Sequence, residues 1–450
     1  MSSADGSRTE GVEMAAARTL FTSAAVEGAA ARLGRLALPG RAAFDTPNYT
    51  SVASRGAVPH LTPDNMTRHM SPGSTYIALE DFIEKKQPPI YRIPVSRENR
   101  LHSFTGLPLG NTTILAARRS QAVTTPMGNT AKSVTLFTST GFRSLTIPEY
   151  VEATTLLRPD IVVPLADLFH ISTTPPSKKL VRMVDRTEEW VDQFLEATAP
   201  EPSAARQSAV FAPVLAVEYP LQWAYLQHLA EDVVESLSGL ALYDTQLLTD
   251  IIPNYAPLRK LPRLSLDPPG TPHEVLNQIA LGVDVCVLPF INTVSDAGVA
   301  FTFTFPATSS SSASAPQPLG TNMWSEEHAT ALQPLRGGCR CYVCTTHHRA
   351  YLRHLLNAKE MLGWSLLQIH NHRVMDDFFE GVRAALRDGT FGAAAERFAQ
   401  VYVAAFPDGT GERPRARGHH FKSEYGQKQI NKTTWVDVEA TLAVQAKTEA

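Results

Sequence analysis

From residue 147 onward, helical and strand-like hydrophobic patterns alternate along the chain, and this alternation constrains the fold more than any other feature of the sequence. The first unit is the amphipathic stretch IPEYVEATTLL, followed by a short apolar strand. The predicted helices are 147–157, 186–198, 221–237, 245–252 and 272–281, and the predicted strands are 161–163, 210–218, 239–243, 261–266, 283–290 and 298–305. Alternating units with short links are typical of a parallel sheet. This many units in series favours a closed (β/α)8 barrel over a doubly wound sheet.

The region before this alternation, from about residue 40 to 145, contains short strands and many turns. Residues 133–147 are a hairpin candidate, in which SVTLF and FRSLTI flank the turn at 138–141. No run of 18 apolar residues occurs, so we expect no membrane span. Residues 15–44 are rich in Ala and Arg and resemble a mitochondrial presequence, but Asp5, Glu10, Glu13 and Glu27 argue against import.

Three of the four cysteines, Cys339, Cys341 and Cys344, lie within six residues in the segment GGCRCYVC. A chain of this length with four cysteines has no disulfide framework, so thiols clustered this closely indicate metal binding. Three thiolates and one imidazole would make a closed tetrahedral zinc site, which is structural because no position remains for water. Cys286 stands alone in an apolar run, and we interpret it as a small core residue.

The spacing of residues alone does not identify the fourth ligand. His370 follows Cys344 after 25 intervening residues, whereas His347 and His348 lie three and four residues past it. Spacing by itself slightly favours His347.

The arrangement C-x-C-x2-C, followed after 25 residues by His370 and Asn371, resembles the zinc subdomain of tRNA-guanine transglycosylases. Further stretches with counterparts in that family are RGAVPHLTPDNM (55–66), TGLP (105–108), MVDRTEEWVDQF (183–194) and LPRLSLDPPGTPHEVLNQIALGVDV (261–285). The likeness covers about residues 40–405. It implies an α/β fold, an irregular (β/α)8 TIM barrel with a C-terminal helical zinc-binding subdomain. It also implies one structural Zn²⁺ per chain, held by Cys339, Cys341, Cys344 and His370.

On the basis of this resemblance, we expect the chain to consist of four regions. We expect a disordered N-terminus at 1–14 and a barrel with a β-rich N-terminal segment at 15–324. The barrel region includes a low-complexity loop at 307–320, which contains SSSSASAPQP. The zinc subdomain and closing helices follow at 325–405, and 406–450 is expected to be a mobile polar tail.

Active members of the family exchange guanine for another base through a carboxylate nucleophile that attacks the ribose carbon. The resemblance places this aspartate in a GVDLFDCVLPTR-like strand and a second aspartate in a DSGGFQ-like loop. No SGGFQ-like segment occurs here, and the corresponding region reads MSPGSTYIALEDFIEKKQPP (70–89). GLALYD (239–244) also departs from the Gly-Gly turn of active members. The resemblance therefore points to a degenerate site.

The strand that would carry the nucleophile reads GVDVCVLPFINTVSDAG (282–298). Aligned without a gap from Gly282, Val287 takes the nucleophile position. A shift by two residues puts Asp284 there and recovers CVLP, but it loses the GVD match. Because the downstream AGVAFTF fits the ungapped register, we prefer that register.

This pattern is similar to that of non-catalytic family members that pair with a separate catalytic subunit. The resemblance implies an accessory role, with no catalytic residue on this chain, in a heterodimer that exchanges guanine for queuine at the wobble position of tRNAs with GUN anticodons. It implies a cytoplasmic location, with peripheral association with the mitochondrial outer membrane as an option. The alternatives are an active transglycosylase that uses Asp284 as nucleophile and an RNA-binding scaffold.

The formal net charge of −3 does not by itself indicate a nucleic-acid partner, so RNA contacts require a local basic patch or a second subunit. Lys178, Lys179 and Arg182 form one candidate for phosphate contact. A solvated loop before a helix is an equally good interpretation of this run. A second candidate lies in the tail, at Arg413, Arg415, Arg417 and Lys422.

Overall fold

The computed structural model of the chain describes residues 20–25, 30–71, 73–85, 87–94, 100–120, 128–168, 174–200, 208–307 and 316–414. Three predictions fall on the remaining residues in whole or in part. The N-terminal segment 1–14, residues 308–315 of the low-complexity loop and residues 415–450 of the tail lie outside the described residues.

The strands of the described part of the chain form one closed barrel and three small antiparallel sheets. In chain order they are β1 (Phe21–Ala25), β2 (Arg32–Leu36), β3 (Phe44–Thr46), β4 (Asn48–Val52), β5 (Ser74–Ala78), β6 (Thr112–Ala116), β7 (Ser133–Thr138), β8 (Gly141–Thr146), β9 (Ile161–Val162), β10 (Ala209–Val214), β11 (Gly239–Leu242), β12 (Arg263–Ser265), β13 (Val285–Val287), β14 (Val299–Phe301) and β15 (Gly320–Asn322). The hairpin predicted at 133–147 is confirmed as β7 and β8, which pair from Ser133–Thr146 to Thr138–Gly141.

The barrel contains eight strands, and each neighbouring pair is parallel. The order around it is β4, β5, β6, β9, β10, β11, β12 and β13, and β13 closes on β4 where Val287 pairs with Thr50. This confirms the predicted (β/α)8 barrel. The carboxyl ends of the strands share one rim, which we call the mouth, and their amino ends share the closed end.

The helices of the described residues lie between the barrel strands and in a C-terminal subdomain. They are α1 (Pro63–His69), α2 (Arg100–Thr105), α3 (Ile147–Leu157), α4 (Ser177–Ala197), α5 (Tyr219–Glu231), α6 (Leu248–Asn254), α7 (Ala256–Arg259), α8 (Pro272–Ala280), α9 (Phe290–Asp296), α10 (Tyr342–Thr346), α11 (Arg349–Asn357), α12 (Met361–Arg387) and α13 (Phe391–Val401). Helix α3 begins with a capping box, because the Thr146 hydroxyl accepts from the Glu149 amide and the Glu149 carboxylate accepts from the Thr146 amide.

Side chains alternate along the barrel strands between two apolar clusters, as the period of two in a β-strand requires. On β13, Val285 and Val287 join the cluster that fills the lumen, whereas Cys286 faces the helices. The lumen cluster also contains Tyr76, Ile114, Phe211 and Leu264 from other strands of the barrel. The prediction that Cys286 is a core residue is confirmed, since its side chain is fully buried.

The N-terminal sheet β1–β3 covers the closed end of the barrel. Leu36, Leu38 and Phe44 belong to the lumen cluster, so this sheet supplies apolar side chains to the bottom of the barrel. The apolar surface that an open lumen would expose to water is thereby buried.

Helix α4 begins earlier than predicted, at Ser177 rather than near residue 186. The buried positions Leu180, Met183 and Val184 continue the same helical face back to the first turn. The interpretation of the basic run as a loop before a helix was therefore wrong. Lys178 and Lys179 occupy the first helical turn, and their polar character hid the amphipathic period.

Candidate metal centre and barrel mouth

Cys339, Cys341, Cys344 and His370 come together in the C-terminal subdomain. Nδ1 of His370 lies 3.9, 3.4 and 3.4 Å from the Sγ atoms of Cys339, Cys341 and Cys344. The four potential ligand atoms all lie within 4.8 Å of one another. Tetrahedral Zn–S bonds of about 2.3 Å and Zn–N bonds of about 2.0–2.1 Å give S···N separations of about 3.6 Å. The cluster therefore has the dimensions of a site that could bind a metal ion.

The local chain geometry turns the three thiols toward one point. Gly338 has a φ of +74°, a conformation that favours glycine, directly before Cys339. Cys341 then caps helix α10, because its Sγ accepts from the Cys344 amide at 3.3 Å. The cap places Cys344 in the first turn of the helix, beside the other two sulfurs.

His370 and Asn371, in the middle of α12, fasten this helix to strand β14. Nε2 of the fully buried His370 ring lies 2.8 Å from the Phe301 carbonyl oxygen, to which it donates when Nδ1 faces the thiols. The Phe301 amide in turn donates to Oδ1 of Asn371 at 2.8 Å, and Nδ2 of Asn371 donates to the Val299 carbonyl at 3.0 Å. Such a second hydrogen bond on an imidazole fixes its tautomer and orientation for a metal ion.

The two other histidines lie outside the cluster and have different contacts. The His347 ring stacks on Tyr351 with ring centroids 5.3 Å apart. Nδ1 of His348 accepts from the Tyr351 amide at 3.2 Å and caps helix α11. The slight preference of spacing for His347 is therefore not matched by the geometry, which brings His370 to the thiols instead.

The charges of the four side chains in this cluster depend on one another. Burial lowers the pKa of His370, but hydrogen bonds with the Cys339 and Cys344 sulfurs outweigh it and raise the pKa to about 9. Because thiolates and a neutral imidazole are the species that bind a metal, affinity at this cluster must fall as pH falls.

Asp284 lies at the closed end of the barrel, before the first residue of β13. Its carboxylate accepts from Arg32 at two points, Nε at 2.9 Å and Nη2 at 2.6 Å, and from the Arg263 amide at 2.8 Å. The side chain of Asp284 is completely buried. All of these contacts join parts of the closed end to one another.

Val287 is the last residue of β13 and points into the lumen at the mouth. It is fully buried and apolar. The carboxyl ends of barrel strands are where (β/α)8 enzymes carry their catalytic groups. A valine at this position has no lone pair with which to attack a sugar carbon.

The sequence profile described as queuine tRNA-ribosyltransferase matches residues 27–404 of this chain. The chain belongs to the queuine tRNA-ribosyltransferase family. The match contains the eight barrel strands and all four residues of the thiol–imidazole cluster.

This chain is similar to relatives that carry two different names. A queuine tRNA-ribosyltransferase accessory subunit 2 from Schizosaccharomyces pombe is 33% identical over 408 residues, which are 90% of this chain and 89% of the relative. A protein of the same name from Xenopus laevis is 28% identical over 77% of this chain and 90% of its own length. A queuine tRNA-ribosyltransferase from Nitratidesulfovibrio vulgaris is 35% identical over a shorter match, 37% of this chain and 41% of its own length. A role related to queuine tRNA-ribosyltransferase follows for this chain.

In this family member, buried ion pairs occupy the mouth next to β5 and β6. Oε1 of Glu80 accepts from the Arg119 amide, and Oδ1 of Asp81 accepts from Nε of Arg119, both at 2.8 Å. Burial raises the pKa of Glu80. No sequence motif singled out this pair of acids, although the segment IALEDF places them directly after a strand, where barrel side chains reach the mouth.

A second polar network crosses the mouth after β9. Asn129 donates to Oδ1 of Asp167 at 2.7 Å, and Arg186 of α4 donates to Oδ2 of the same carboxylate at 2.6 Å. Nη2 of Arg118 donates to the Asn129 side-chain oxygen at 2.9 Å. Burial raises the pKa of Asp167. Protein side chains therefore fill much of this rim.

Asp296, the other carboxylate of the degenerate segment, ends helix α9 and lies outside the lumen cluster. Its Oδ1 lies 2.7 Å from Nε2 of His60. This contact holds the loop before α1 against α9, so we interpret it as a packing contact.

The basic run of the sequence analysis lies on the mouth side of the barrel. Lys178, Lys179 and Arg182 are exposed near the amino end of α4, which follows β9. Among the described residues, the tail candidates reduce to Arg413, since the other three lie beyond residue 414.

A patch of partly exposed rings spans the barrel and the C-terminal subdomain. His69, at the end of α1, stacks on Tyr342 of α10 with centroids 4.8 Å apart. Tyr342 is 42% exposed. His347 contacts Tyr342 edge-on at 5.6 Å and stacks on Tyr351. We call His69, Tyr342, His347 and Tyr351 the aromatic patch.

No described helix has both the length and the apolar character that crossing a membrane requires.

Proposed function

We propose that this chain is the non-catalytic, zinc-binding subunit of a heterodimeric queuine tRNA-ribosyltransferase. The complex would exchange guanine for queuine at the wobble position of tRNAs with GUN anticodons. The proposal rests on the family, on the accessory-subunit names of the full-length relatives and on the chemistry of β13.

One observation carries the non-catalytic role. In the register that keeps the GVD match, the position of the family nucleophile is Val287, at the mouth end of β13. Covalent base exchange needs a carboxylate oxygen beside the ribose, and Val287 offers a hydrocarbon side chain instead. A catalytic partner subunit would have to supply both aspartates.

The alternative nucleophile, Asp284, is poorly placed for chemistry. It lies at the opposite end of the strand from the mouth, it is completely buried, and Arg32 binds both of its oxygens. An RNA backbone could reach it only if the N-terminal sheet left the closed end of the barrel. These contacts support a structural role for Asp284.

The barrel mouth also offers a poor binding site for a purine ring. The networks of Arg119 with Glu80 and Asp81, and of Asp167 with Asn129 and Arg186, use the polar groups of the rim for bonds within the chain. A base-binding pocket needs free donors and acceptors that match a nucleobase edge.

The zinc assignment rests on the chemistry of the donor set. Three thiolates and one imidazole within 4.8 Å of one another match the ligands and geometry of structural zinc sites. Zinc held by Cys339, Cys341, Cys344 and His370 would join α10 to α12 and close the subdomain onto β14. Its role would be structural, because four protein ligands leave no position for substrate.

The aromatic patch is the part of the surface we assign to the catalytic partner. It joins α1 of the barrel to α10 and α11 of the zinc subdomain, so a partner that docks there would contact both units. Partly exposed aromatic side chains are enriched at protein interfaces, where they contribute large contact areas.

We assign the exposed cations at the start of α4 to the tRNA backbone. Lys178, Lys179 and Arg182 project from the mouth side, and Lys and Arg side chains at such positions neutralise phosphates. We also propose a cytoplasmic location for this chain, which the family resemblance supports.

The decisive experiment uses this chain, its catalytic partner and their mixture, with tRNA carrying labelled guanine. We expect the mixture to insert queuine and this chain alone to form no denaturation-resistant adduct with RNA. Asp284→Asn in the mixture should leave turnover per assembled heterodimer nearly unchanged. Base exchange by the lone chain, abolished by Asp284→Asn, would overturn the proposal in favour of an active enzyme.

A further inference from the structure

Asn371 follows His370 on α12, and its side chain forms three hydrogen bonds in the interior of the molecule. Oδ1 accepts from the Phe301 amide at 2.8 Å, and Nδ2 donates to the Val299 carbonyl oxygen at 3.0 Å and to Oγ of Ser295 at 2.9 Å. All of these residues are completely buried. A primary amide has two N–H donors, so both donors of Asn371 are used, and its oxygen accepts as well.

The bonds to Val299 and Phe301 complete one edge of strand β14. The other edge of this strand pairs with β15, where the Thr302 amide donates to the Leu319 carbonyl oxygen at 3.0 Å. In an antiparallel pair the backbone groups of alternate residues point to opposite edges, so those of Val299 and Phe301 point away from β15. Side chains of α12 therefore pair with this edge as a neighbouring strand would.

The orientation of His370 depends on the same edge. The Phe301 carbonyl oxygen lies 2.8 Å from Nε2 of the ring and fixes which imidazole nitrogen faces the thiols. Asn371 binds the amide of the same residue, so it sets how closely β14 approaches α12 where the ring is held. Asn371 thus acts on the metal cluster through Phe301 and His370.

A second buried amide on α12 provides a comparison. Three residues before Asn371, Nε2 of Gln368 donates to Oδ1 of Asn292 at 2.6 Å, and Gln368 is also completely buried. This contact joins α12 to α9 rather than to β14. Loss of either amide would loosen the packing of α12, whereas only loss of Asn371 would release the edge that orients His370.

We propose that Asn371 is a positioning residue for the metal centre. By holding β14 against α12, it keeps the ring of His370 in the orientation that a metal ion requires, and it raises the affinity of the cluster for zinc. Outer hydrogen-bond partners of metal ligands typically change metal affinity by about 10- to 100-fold. This inference rests on the zinc-binding role proposed above.

The test is the zinc affinity of the purified full chain and its variants, measured by competition with a chelator of known affinity. Asn371→Leu keeps the approximate size of the side chain and removes all three hydrogen bonds, so zinc should bind about 10- to 100-fold more weakly. Gln368→Leu is the matched control, because it removes a buried amide from the same helix. Ser295→Ala removes the bond of Asn371 to α9 and keeps both bonds to β14. Both of these variants should bind zinc like the wild type.

Cobalt gives a spectroscopic readout of the orientation of His370. Co²⁺ can replace zinc in such a site, and its visible absorption bands depend on the geometry of the ligands. The bands of Asn371→Leu should differ from those of the wild type, and Gln368→Leu should keep them. A purely structural role of Asn371 would lower the amount of cobalt bound and leave the bands unchanged.

Thermal unfolding of the zinc-loaded variants identifies any that do not fold. If Asn371→Leu does not fold, Asn371→Ser decides the question, since its smaller side chain leaves room for a water molecule in place of the amide. Asn371→Ser should bind zinc more weakly than Ser295→Ala. Equal zinc affinity in the folded Asn371 variants and in Gln368→Leu would overturn the positioning role alone. A wild-type chain that binds no zinc would overturn the zinc-binding role, and this inference with it.

Discussion

Arg32 and Asp284 are separated by 252 positions in the sequence and form a buried, two-point ion pair at the closed end of the barrel. Arg32 belongs to the N-terminal sheet and Asp284 precedes the last barrel strand. The guanidinium also donates to the carbonyl oxygens of Arg259 at 2.7 Å and Leu261 at 2.6 Å. One arginine thus fastens the covering sheet to two consecutive parts of the barrel.

Asp284→Asn should therefore destabilise the chain strongly while leaving chemistry to the partner. Removal of one member of a buried pair leaves the other charge uncompensated, at a cost of about 3–5 kcal/mol. Urea unfolding should show this loss, and queuine insertion per folded heterodimer should stay near normal. The matched variant is Asp296→Asn, whose carboxylate is 20% exposed, with an expected cost of about 1 kcal/mol. Equal stability of the two variants would contradict the assignment of Asp284 as a structural anchor.

The alternation of strands and helices after residue 147 was enough to predict the barrel, because those strands are apolar runs. The strands β4 and β5 carry no such signal, since NYTSV and STYIA are rich in hydroxyl groups. These hydroxyls are buried because they bind one another, Thr50 with Ser74 at 2.5 Å and Ser51 with Thr75 at 2.9 Å. Pairing across strands is a property of the fold, so the sequence pattern could not reveal it.

The candidate sites show the same limit. Three thiols within six residues can be recognised as a metal-binding cluster from the sequence. Arg32, which pairs with Asp284, lies 252 positions away from it, and no local pattern links the two residues. Spacing could not separate His370 from His347, because the choice depends on how α12 packs on β14. From the sequence alone, Asp284→Asn would be expected to cost about 1 kcal/mol, a figure for an ordinary hydrogen bond. Because Arg32 and Asp284 are both buried, the expected loss of stability is larger than this figure.

His370→Ala should remove the metal ion and loosen the C-terminal subdomain. Loss of one of four ligands opens the site, and the folding free energy that zinc contributes is lost with it. Metal analysis should find about one zinc in the wild type and little in the variant, with faster proteolysis at α10. His347→Ala is the control, since His347 follows Cys344 closely in the sequence but stacks on Tyr351 and does not face the thiols. Full zinc content in His370→Ala, or zinc loss in His347→Ala, would refute the ligand assignment.

His228 should make the stability of the α4–α5 pair depend on pH. Its ring bridges Asp192 and Asp232, with both N···O distances 2.8 Å. Burial lowers the pKa of His228, but these hydrogen bonds outweigh it and raise the pKa. A raised pKa in the folded state stabilises the fold below about pH 6.5, the unfolded value, and this contribution is lost as pH rises through the folded value.

The measurement for His228 is the free energy of unfolding of the wild type and of His228→Gln, at pH 6 and at pH 9. The wild type should exceed the variant by more at pH 6 than at pH 9, and added salt should reduce the difference because the ring is partly exposed. A constant difference at both pH values would show that the bridge does not depend on the charge of His228.

Tyr342→Ala should weaken assembly with the catalytic partner without unfolding this chain. Tyr342 is 42% exposed and stacks on His69, so its removal takes away contact area at the aromatic patch and little of the core. Truncation of an aromatic anchor at an interface often weakens binding tenfold or more. Trp223→Ala is the matched control, because Trp223 is 51% exposed on α5, away from the patch.

Analytical ultracentrifugation of each variant with the catalytic partner gives the dissociation constant. Zinc content and thermal unfolding should match the wild type in both variants. If Trp223→Ala weakens the heterodimer and Tyr342→Ala does not, the partner docks on the α5 side and the aromatic patch is free.

Charge reversal at Lys178, Lys179 and Arg182 should weaken tRNA binding by the heterodimer and flatten its salt dependence. Each phosphate contact contributes a slope of about −0.7 to −0.9 in the logarithm of the association constant against that of the salt concentration. Loss of all three should therefore reduce the steepness of this slope by about 2 to 3. The control is Lys260→Glu, which reverses an exposed charge at the closed end, after α7. Filter binding across a range of salt concentrations measures both slopes, and the three cations lie outside the RNA path if the triple variant keeps the slope of the control.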